Sequence, residues 1–212
     1  MSNTIRRDTV KSYLLKEIQK GNLRIGKTIN LAALSRKLDL SVTPIREALT
    51  QLEESNIVKA IPNRGFIIDT LSTKEAVDLY NTAAELEVLA VDTSVFDESL
   101  LNKLIKIQQE LQQTHTAKIR LAISFKFHET LMEACENKVL TTVLRKLKSR
   151  IFFYEQLYIT DASFYEVIDN QNEGIIRAIE ENNLPTAALI LKMNWMNSLN
   201  YLLKIMKSKT AI

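Results

Sequence analysis

Glycine, proline and cysteine are all scarce in this sequence, which holds four, three and one of them among 212 residues. Sheet-rich proteins place many glycines and prolines in turns, and helices tolerate both residues poorly, so the scarcity favours a largely helical fold. Cys135 has no second cysteine with which to pair. An intrachain disulfide is therefore excluded, which suits a reducing compartment.

Long apolar runs are missing as well. No uninterrupted apolar stretch approaches the roughly 18 residues that a membrane-spanning helix requires. The first ten residues, MSNTIRRDTV, lack the apolar core of a secretory signal. We therefore expect a cytoplasmic protein without a membrane partner, and 212 residues are enough to bury a substantial core.

Positive charge is concentrated at one end of the chain. Residues 1–70 carry 12 Lys and Arg against 7 Asp and Glu, whereas the remainder carries 16 against 18. This asymmetry indicates a small polyanion-binding domain on a near-neutral body, although a chance surface bias is an open alternative. We predict two domains, residues 1–70 and 71–212.

Three short helices followed by a hairpin are predicted in the first domain. Apolar residues recur at helical spacing from about residue 5 to residue 20, and Asn30 and Ser41 can cap the two helices that follow. Two β-branched runs flank the turn at 62–65. This order is that of a winged helix-turn-helix, in which one helix enters the major groove of DNA.

The third helix has a polar face opposite its apolar stripe. Thr43, Arg46 and Thr50 share that face, and Arg64 lies at the tip of the hairpin, where it would meet phosphate or the minor groove. A solvated surface helix often shows the same pattern. The prediction of DNA binding therefore depends on the preceding helices and the hairpin together.

The second domain is predicted to be an antiparallel bundle of about six helices. Ser72-Thr73-Lys74-Glu75 has the pattern of a capping box opening a helix to about Val95, and Asp97 can cap the next one. Helical patterns continue near 118–136, 139–158, 164–181 and 185–207. The predicted fold class is mainly α: three helices with a β-hairpin wing, then an all-α bundle.

Two groups of motifs resemble the GntR family of bacterial transcription regulators. The run SVTPIREAL at 41–49, with Arg64-Gly65-Phe66, is similar to that family's recognition helix and wing, and GNLRIG at 21–26 is similar to its first turn. FHETL at 127–131, with the Asn and Leu at 137 and 140, and IIRAI at 175–179 resemble the family's all-helical FCD (FadR-like) effector domain.

The resemblance implies a homodimeric repressor or activator that binds an inverted-repeat DNA operator and responds to a small-molecule effector. Carried over by position, Thr43 and Arg46 would contact DNA from the recognition helix, with Arg64 and Gly65 in the wing. Ser41, Val42 and Asn63 of the same motifs are also expected at DNA, and Arg36 and Lys37 could supply phosphate contacts. The family usually has Arg at position 42, and a valine could at most touch a thymine methyl group. We therefore expect an operator that differs from the family's usual one.

The resemblance also places an effector site at Ser124, His128, Asn172 and Asn194. Many FCD domains bind a divalent metal there through one Asp and three His. Only the histidine at 128 remains here, and Asn and Ser are weak ligands, so we expect no metal cofactor and a pocket for a polar organic ligand. The alternative is that His128 is a core histidine and both asparagines are surface residues.

Other chemistry has little support in the sequence. No phosphate-binding glycine loop and no nucleophile with a supporting base is recognisable, so an enzyme is not expected. A metal-binding protein or metal-dependent enzyme built on the helical domain is the alternative to a regulator. A DNA-binding protein without an effector is a third possibility, and it would bind unrelated duplexes nearly equally.

Overall fold

Helices dominate the computed structural model, which describes residues 3–19, 23, 25–159, 161 and 164–210. The chain divides into two compact units, Met1–Leu71 and Ser72–Ile212. The first contains the one two-stranded sheet of the described residues, and the second is all-helical there. The predicted fold class, a winged helix-turn-helix followed by a helical bundle, is confirmed.

The N-terminal unit packs three helices and a hairpin around a small apolar core. Val10 and Leu14 of the first helix and Ile45 and Leu49 of the third are completely buried. The elements are α1 (Asn3–Gln19), α2 (Leu31–Leu38), α3 (Val42–Glu53), β1 (Val58–Ile61) and β2 (Gly65–Ile68). Of the predicted turn at 21–26, Gly21, Asn22 and Arg24 lie outside the described residues, as does Lys20 at the predicted end of α1.

The two predicted caps in this unit differ. Asn30 caps α2, because its Oδ1 accepts a hydrogen bond from the Ala33 N–H at 2.9 Å. Ser41 has the extended backbone of a cap, but its side chain makes no capping hydrogen bond. The predicted Ser41 side-chain cap is therefore wrong. Pro44 is the third residue of α3 and has no N–H to donate to it.

The wing is an antiparallel pair in which Val58 lies opposite Ile68 and Ile61 opposite Gly65. The Arg64 N–H donates to the Ile61 carbonyl at 3.0 Å and closes the turn. Asn63 (φ 61°) and Gly65 (φ 80°) supply the left-handed conformations that so tight a connection needs. The basic tip is therefore held in a fixed loop.

The helical unit is an antiparallel assembly in which α4 and α8 both pack on α9. Its elements are α4 (Thr73–Asp92), α5 (Glu98–Gln112), α6 (Ala117–Leu131), α7 (Lys138–Tyr158), α8 (Tyr165–Glu180) and α9 (Leu184–Thr210). Gly174 permits the close approach of α8 to α9, since an added Cβ would lie 3.1 Å from Ile190 Cδ1. No helix among the described residues is long and apolar enough to span a membrane.

Two helices end several residues before their predicted ends. Helix α4 ends at Asp92 rather than near Val95, because the Thr93 and Ser94 hydroxyls bond back to the carbonyls of the last turn. Helix α6 ends at Leu131 rather than near residue 136, and a turn follows. Of the predicted capping box, Ser72 Oγ does accept from the Glu75 N–H at 3.1 Å. The Glu75 carboxylate instead accepts from Arg150.

Candidate functional sites

The recognition helix α3 separates an apolar inner face from a polar outer face. Ile45, Ala48 and Leu49 are buried, whereas Thr43 and Arg46 are exposed. Within the described residues, Arg46 makes no ion pair with an acidic side chain, so its guanidinium is available to a partner. Such a group can bond two acceptors on one guanine edge.

The other residues predicted at DNA are also on the surface. Exposed side chains, by position, are Arg36, Lys37, Ser41, Val42, Thr43, Asn63 and Arg64, and Gly65 is half-buried in the turn. Val42 is 39% exposed and begins α3. A valine side chain at the start of the recognition helix offers a methyl contact where the family usually has Arg.

A buried carboxylate organises the interior of the helical unit. Glu87 of α4 is fully buried and accepts three hydrogen bonds from three other helices. The donors are His128 Nδ1 of α6 at 2.7 Å, Lys148 Nζ of α7 at 3.0 Å and Trp195 Nε1 of α9 at 2.6 Å. We call these four residues the carboxylate cluster.

The carboxylate cluster holds Glu87 in its ionised form. Burial alone would raise the pKa of Glu87, but the charges of His128 and Lys148 and their hydrogen bonds lower it to about 2. A carboxylate can only accept hydrogen bonds. The proton between Glu87 and His128 therefore lies on His128 Nδ1, which fixes the orientation of the imidazole.

Three buried side-chain amides form a second network in the interior of the helical unit. Asn194 Nδ2 donates to Asn172 Oδ1, and Asn172 Nδ2 donates to Gln108 Oε1, each at 3.1 Å. Gln108 Nε2 then donates to the backbone carbonyl of Asp169, also at 3.1 Å. We call Gln108, Asn172 and Asn194 the amide chain; it links α9, α8 and α5.

All four residues predicted at the effector site lie in the interior. Exposed fractions are 7% for Ser124, 5% for His128, 0% for Asn172 and 1% for Asn194. The alternative that both asparagines lie on the surface is therefore wrong. The structure joins Asn172 to Asn194 directly, and Ser124 lies one turn before His128 on α6. Asn194 precedes Trp195, whose ring centroid is 4.9 Å from that of His128.

The donor set of this region does not fit a transition metal. Within the described residues, no three His, Cys, Asp or Glu side chains are placed to hold a metal ion. The oxygen of Asn172 and both oxygens of Glu87 already accept hydrogen bonds. Neutral amides and a hydroxyl suit hydrogen bonding to an organic molecule better than they suit a tight Zn²⁺ site.

Sequence reasoning missed Glu87, Lys148 and Gln108. A signal for Glu87 was present, because Ala83, Ala84 and Ala90 surround it at helical spacing and all of them are buried. A charged residue in the middle of an apolar stripe indicates a buried, paired charge. Gln108 lies in the buried stripe of α5 in the same way.

A second buried carboxyl lies on α7. Glu155 is 4% exposed and accepts a hydrogen bond from the Tyr80 hydroxyl at 2.6 Å. Burial raises the pKa of Glu155 to about 7, and the Tyr80 hydrogen bond opposes that shift. Unlike Glu87, this carboxyl has no hydrogen-bonded cation to hold it ionised within the described residues.

Both units match known protein families. Residues 6–68 match the family described as "Bacterial regulatory proteins, gntR family", and residues 78–194 match the FCD domain. The chain is 29% identical over 183 residues to the uncharacterized HTH-type transcriptional regulator YdhC of Bacillus subtilis, covering 83% of this chain and 81% of that protein. It is 29% identical over 136 residues to the Nta operon transcriptional regulator of Aminobacter aminovorans, covering 62% and 65%.

Solved structures show the same fold. A putative GntR regulator from Rhodococcus sp. RHA1 superposes with a TM-score of 0.74 at 19% identity, covering 94% of this chain and 98% of that one. E. coli McbR/YncC gives 0.72 at 20% identity, covering 95% and 97%. With an exposed recognition helix, a wing and a helical unit that matches over more than half the chain, this protein belongs to the GntR family of transcription regulators that carry an FCD domain.

Proposed function

We propose that this regulator acts in the cytoplasm as a homodimer that binds an inverted-repeat operator and is switched by a small organic effector. The observation that supports the effector site is the burial of Asn172 and Asn194, which are joined by a hydrogen bond. Polar side chains are costly to bury, so a polar network of this size inside a helical bundle is a candidate binding site.

The proposal that the protein binds DNA rests on the outer face of α3 and the tip of the wing. Arg46 would read base edges in the major groove, and Thr43 and Val42 would contact the neighbouring bases. Arg36, Lys37 and Arg64 would contact phosphates and set the register of the protein on the duplex. Two such units are needed, because a single winged unit covers too few base pairs for high specificity.

Repression is the direction of control that we propose. Relatives include the HTH-type transcriptional repressor GlaR of Escherichia coli, 26% identical over 83 residues, and a probable D-xylose utilization operon repressor of Paenarthrobacter nicotinovorans. We propose no resident metal, since the donor set is unsuited to one. Metal analysis of the purified protein tests that point, and stoichiometric metal would favour the metal-binding alternative.

Replacement of Arg46 tests the proposal that the protein binds an operator through α3. We expect Arg46→Ala to lose about 1–3 kcal/mol of binding to the operator and most of the preference over unrelated DNA. The operator is first selected from the DNA around the protein's own gene, and affinity is measured by fluorescence anisotropy at physiological salt. Arg177→Ala is the matched control, since Arg177 is an exposed arginine on α8. Wild-type affinity in Arg46→Ala would contradict the proposal.

A further inference from the structure

The recognition helix ends directly beside the first strand of the wing. Helix α3 ends at Glu53, and the Ile57 N–H donates back to the Leu52 carbonyl at 3.0 Å. Asn56, at φ 52°, turns the chain between them. Strand β1 therefore begins within a few residues of the end of α3, and the position of the wing relative to α3 depends on the contacts made there.

One edge of β1 faces away from β2. The Asp69 N–H donates to the Ile57 carbonyl at 3.0 Å, so positions 57 and 69 form a hydrogen-bonded pair. Such pairs recur at every second position along an antiparallel ladder, and Ala60, opposite Phe66, lies between two of them. The Ala60 N–H therefore points away from β2, where its acceptor must be water or a side chain.

That acceptor is the carboxylate of Glu53. The Ala60 N–H donates to Glu53 Oε1 at 2.7 Å, the short distance that is typical of a bond to a charged acceptor. Glu53 is half-buried, and within the described residues no Lys or Arg side chain forms an ion pair with it. The last residue of α3 thus holds the outer edge of the wing.

Arg64 lies beyond this attachment, at the tip of the wing. The tip is about 10 Å from Ala60, at about 3.3 Å per strand residue, so a tilt of about 10° would move Arg64 by about 2 Å. A hydrogen bond to a phosphate tolerates only a few tenths of an ångström. Asn63 and Gly65 fix the conformation of the turn, so what the Glu53 bond adds is the angle of the hairpin.

We propose that Glu53 is a positioning residue for DNA recognition. Its bond to the Ala60 N–H sets the angle between α3 and the wing, so that the arginines of both elements contact one duplex together. The negative charge of Glu53 opposes binding to phosphates, so the contribution of this residue is its bond to the wing. This inference rests on the proposed DNA-binding function and adds to it a residue that touches neither base nor phosphate.

The test compares two replacements of Glu53 in the full-length protein. Glu53→Gln and Glu53→Leu remove the same charge, but only Gln keeps an oxygen that can accept from the Ala60 N–H. Affinity for the selected operator is measured by fluorescence anisotropy over a range of salt concentrations. We expect Glu53→Gln to bind at least as tightly as the wild type, and Glu53→Leu to bind about fivefold to tenfold more weakly than Glu53→Gln. Glu54→Leu, at the exposed glutamate that follows, is the matched control and should lose no affinity.

The loss should be confined to the contact that the wing makes. In a double-mutant cycle, Glu53→Leu should weaken binding little in an Arg64→Ala background and by its full amount in an Arg46→Ala background. The salt dependence of affinity should also flatten in Glu53→Leu by about one phosphate contact, as in Arg64→Ala. A residue that only stabilised the fold would lower affinity equally in both backgrounds.

Ala60→Pro removes the same hydrogen bond from the donor side. Proline is tolerated on a strand edge whose N–H points away from the partner strand. We expect Ala60→Pro to bind the operator as weakly as Glu53→Leu, and the two changes together to bind no more weakly than either alone. Circular dichroism checks that each variant is folded, and Ala60→Pro provides the comparison with Glu53→Gln if Glu53→Leu does not fold.

Two results would overturn the inference. Equal affinities of Glu53→Leu and Glu53→Gln would show that the hydrogen bond to the wing does not contribute to DNA binding. A loss of the same size with and without Arg64 would show that Glu53 does not act through the wing. Failure of the wild-type protein to prefer any operator would instead refute the proposed function.

Discussion

Glu87 is the residue on which the interior of the helical unit depends most. One carboxylate with no solvent exposure joins α4 to α6, α7 and α9 through three hydrogen bonds. Removing one partner of a buried ion pair leaves the other charge unpaired, which costs more than the pair itself contributes. The burial of Lys148 at 2% exposure therefore depends mainly on Glu87, since its other carboxylate partner, Glu129 at 3.4 Å, is 43% exposed.

We expect Glu87→Leu to destabilise the protein by about 3–5 kcal/mol, because Lys148 then loses its buried partner and keeps only the half-exposed Glu129 carboxylate at 3.4 Å. The double variant Glu87→Leu, Lys148→Met should recover much of that loss, since no buried charge remains. Urea unfolding followed by circular dichroism measures both. A double variant no more stable than Glu87→Leu would show that the charge pairing is not what stabilises this region.

Glu155 is expected to make stability depend on pH in the opposite sense to Glu87. Its folded pKa of about 7 lies above the ordinary 4.5, so the folded protein holds a proton that the unfolded chain releases. The contribution of Glu155 is therefore fully present below about pH 4.5 and is lost as pH rises towards 7. Glu87, with a pKa of about 2, contributes stability above pH 4.5 that is lost as pH falls.

Replacing Glu155 with Gln should flatten the stability profile between pH 5 and 8. The wild-type free energy of unfolding should fall across that range relative to Glu155→Gln by about 3 kcal/mol, an order-of-magnitude figure from the pKa difference. Urea titrations at several pH values measure it. Parallel profiles for the two proteins would mean that Glu155 titrates alike in the folded and unfolded chains.

At the scale of elements, the sequence is informative about where helices begin and less so about where they end. The caps at Asn30, Ser72 and Asp97 were predictable because each depends on residues three positions apart. The end of α4 depends on Thr93 and Ser94 hydroxyls bonding to the preceding turn, a choice that the local pattern does not determine. Spacing placed the hairpin correctly, because Asn63 and Gly65 suit its turn.

The candidate effector site was likewise only partly predictable from the sequence. Its family-matched positions were predictable from the sequence, and all four are buried. Their hydrogen-bond partners were not: Glu87 and Lys148 are 61 residues apart, and Gln108 and Asn172 are 64 apart. Such pairs depend on how α4, α5, α7 and α8 pack against one another. The periodicity of apolar residues within one helix carries no information about that packing.

The contrast between two capping positions gives a prediction at this scale. Asn30→Ala should destabilise the protein by about 1 kcal/mol, because it removes a hydrogen bond to the first turn of α2. Ser41→Ala should change stability by only a few tenths of a kcal/mol, since Ser41 makes no capping bond. Thermal unfolding measures both effects. An equal loss in the two variants would show that the Ser41 side chain stabilises α3 as much as Asn30 stabilises α2.

At the scale of the whole molecule, the chain consists of two units with separate cores. Ile45 and Leu49 are buried within Met1–Leu71, and Tyr80 and Phe127 within Ser72–Ile212. Units with their own cores can fold alone, so the functions proposed for them are separable. The exposed basic residues that we propose to contact DNA belong to the first unit, and the buried polar networks belong to the second.

We expect the helical unit to make the dimer. Residues 72–212 expressed alone should sediment as a dimer at micromolar concentration, whereas residues 1–71 should be monomeric and bind the operator poorly. The reason is that an operator with two-fold symmetry requires two α3 helices at a fixed spacing, which a small winged unit cannot set by itself. Analytical ultracentrifugation of the fragments, with the full chain as control, measures this. A monomeric helical fragment beside a dimeric N-terminal fragment would reverse the assignment.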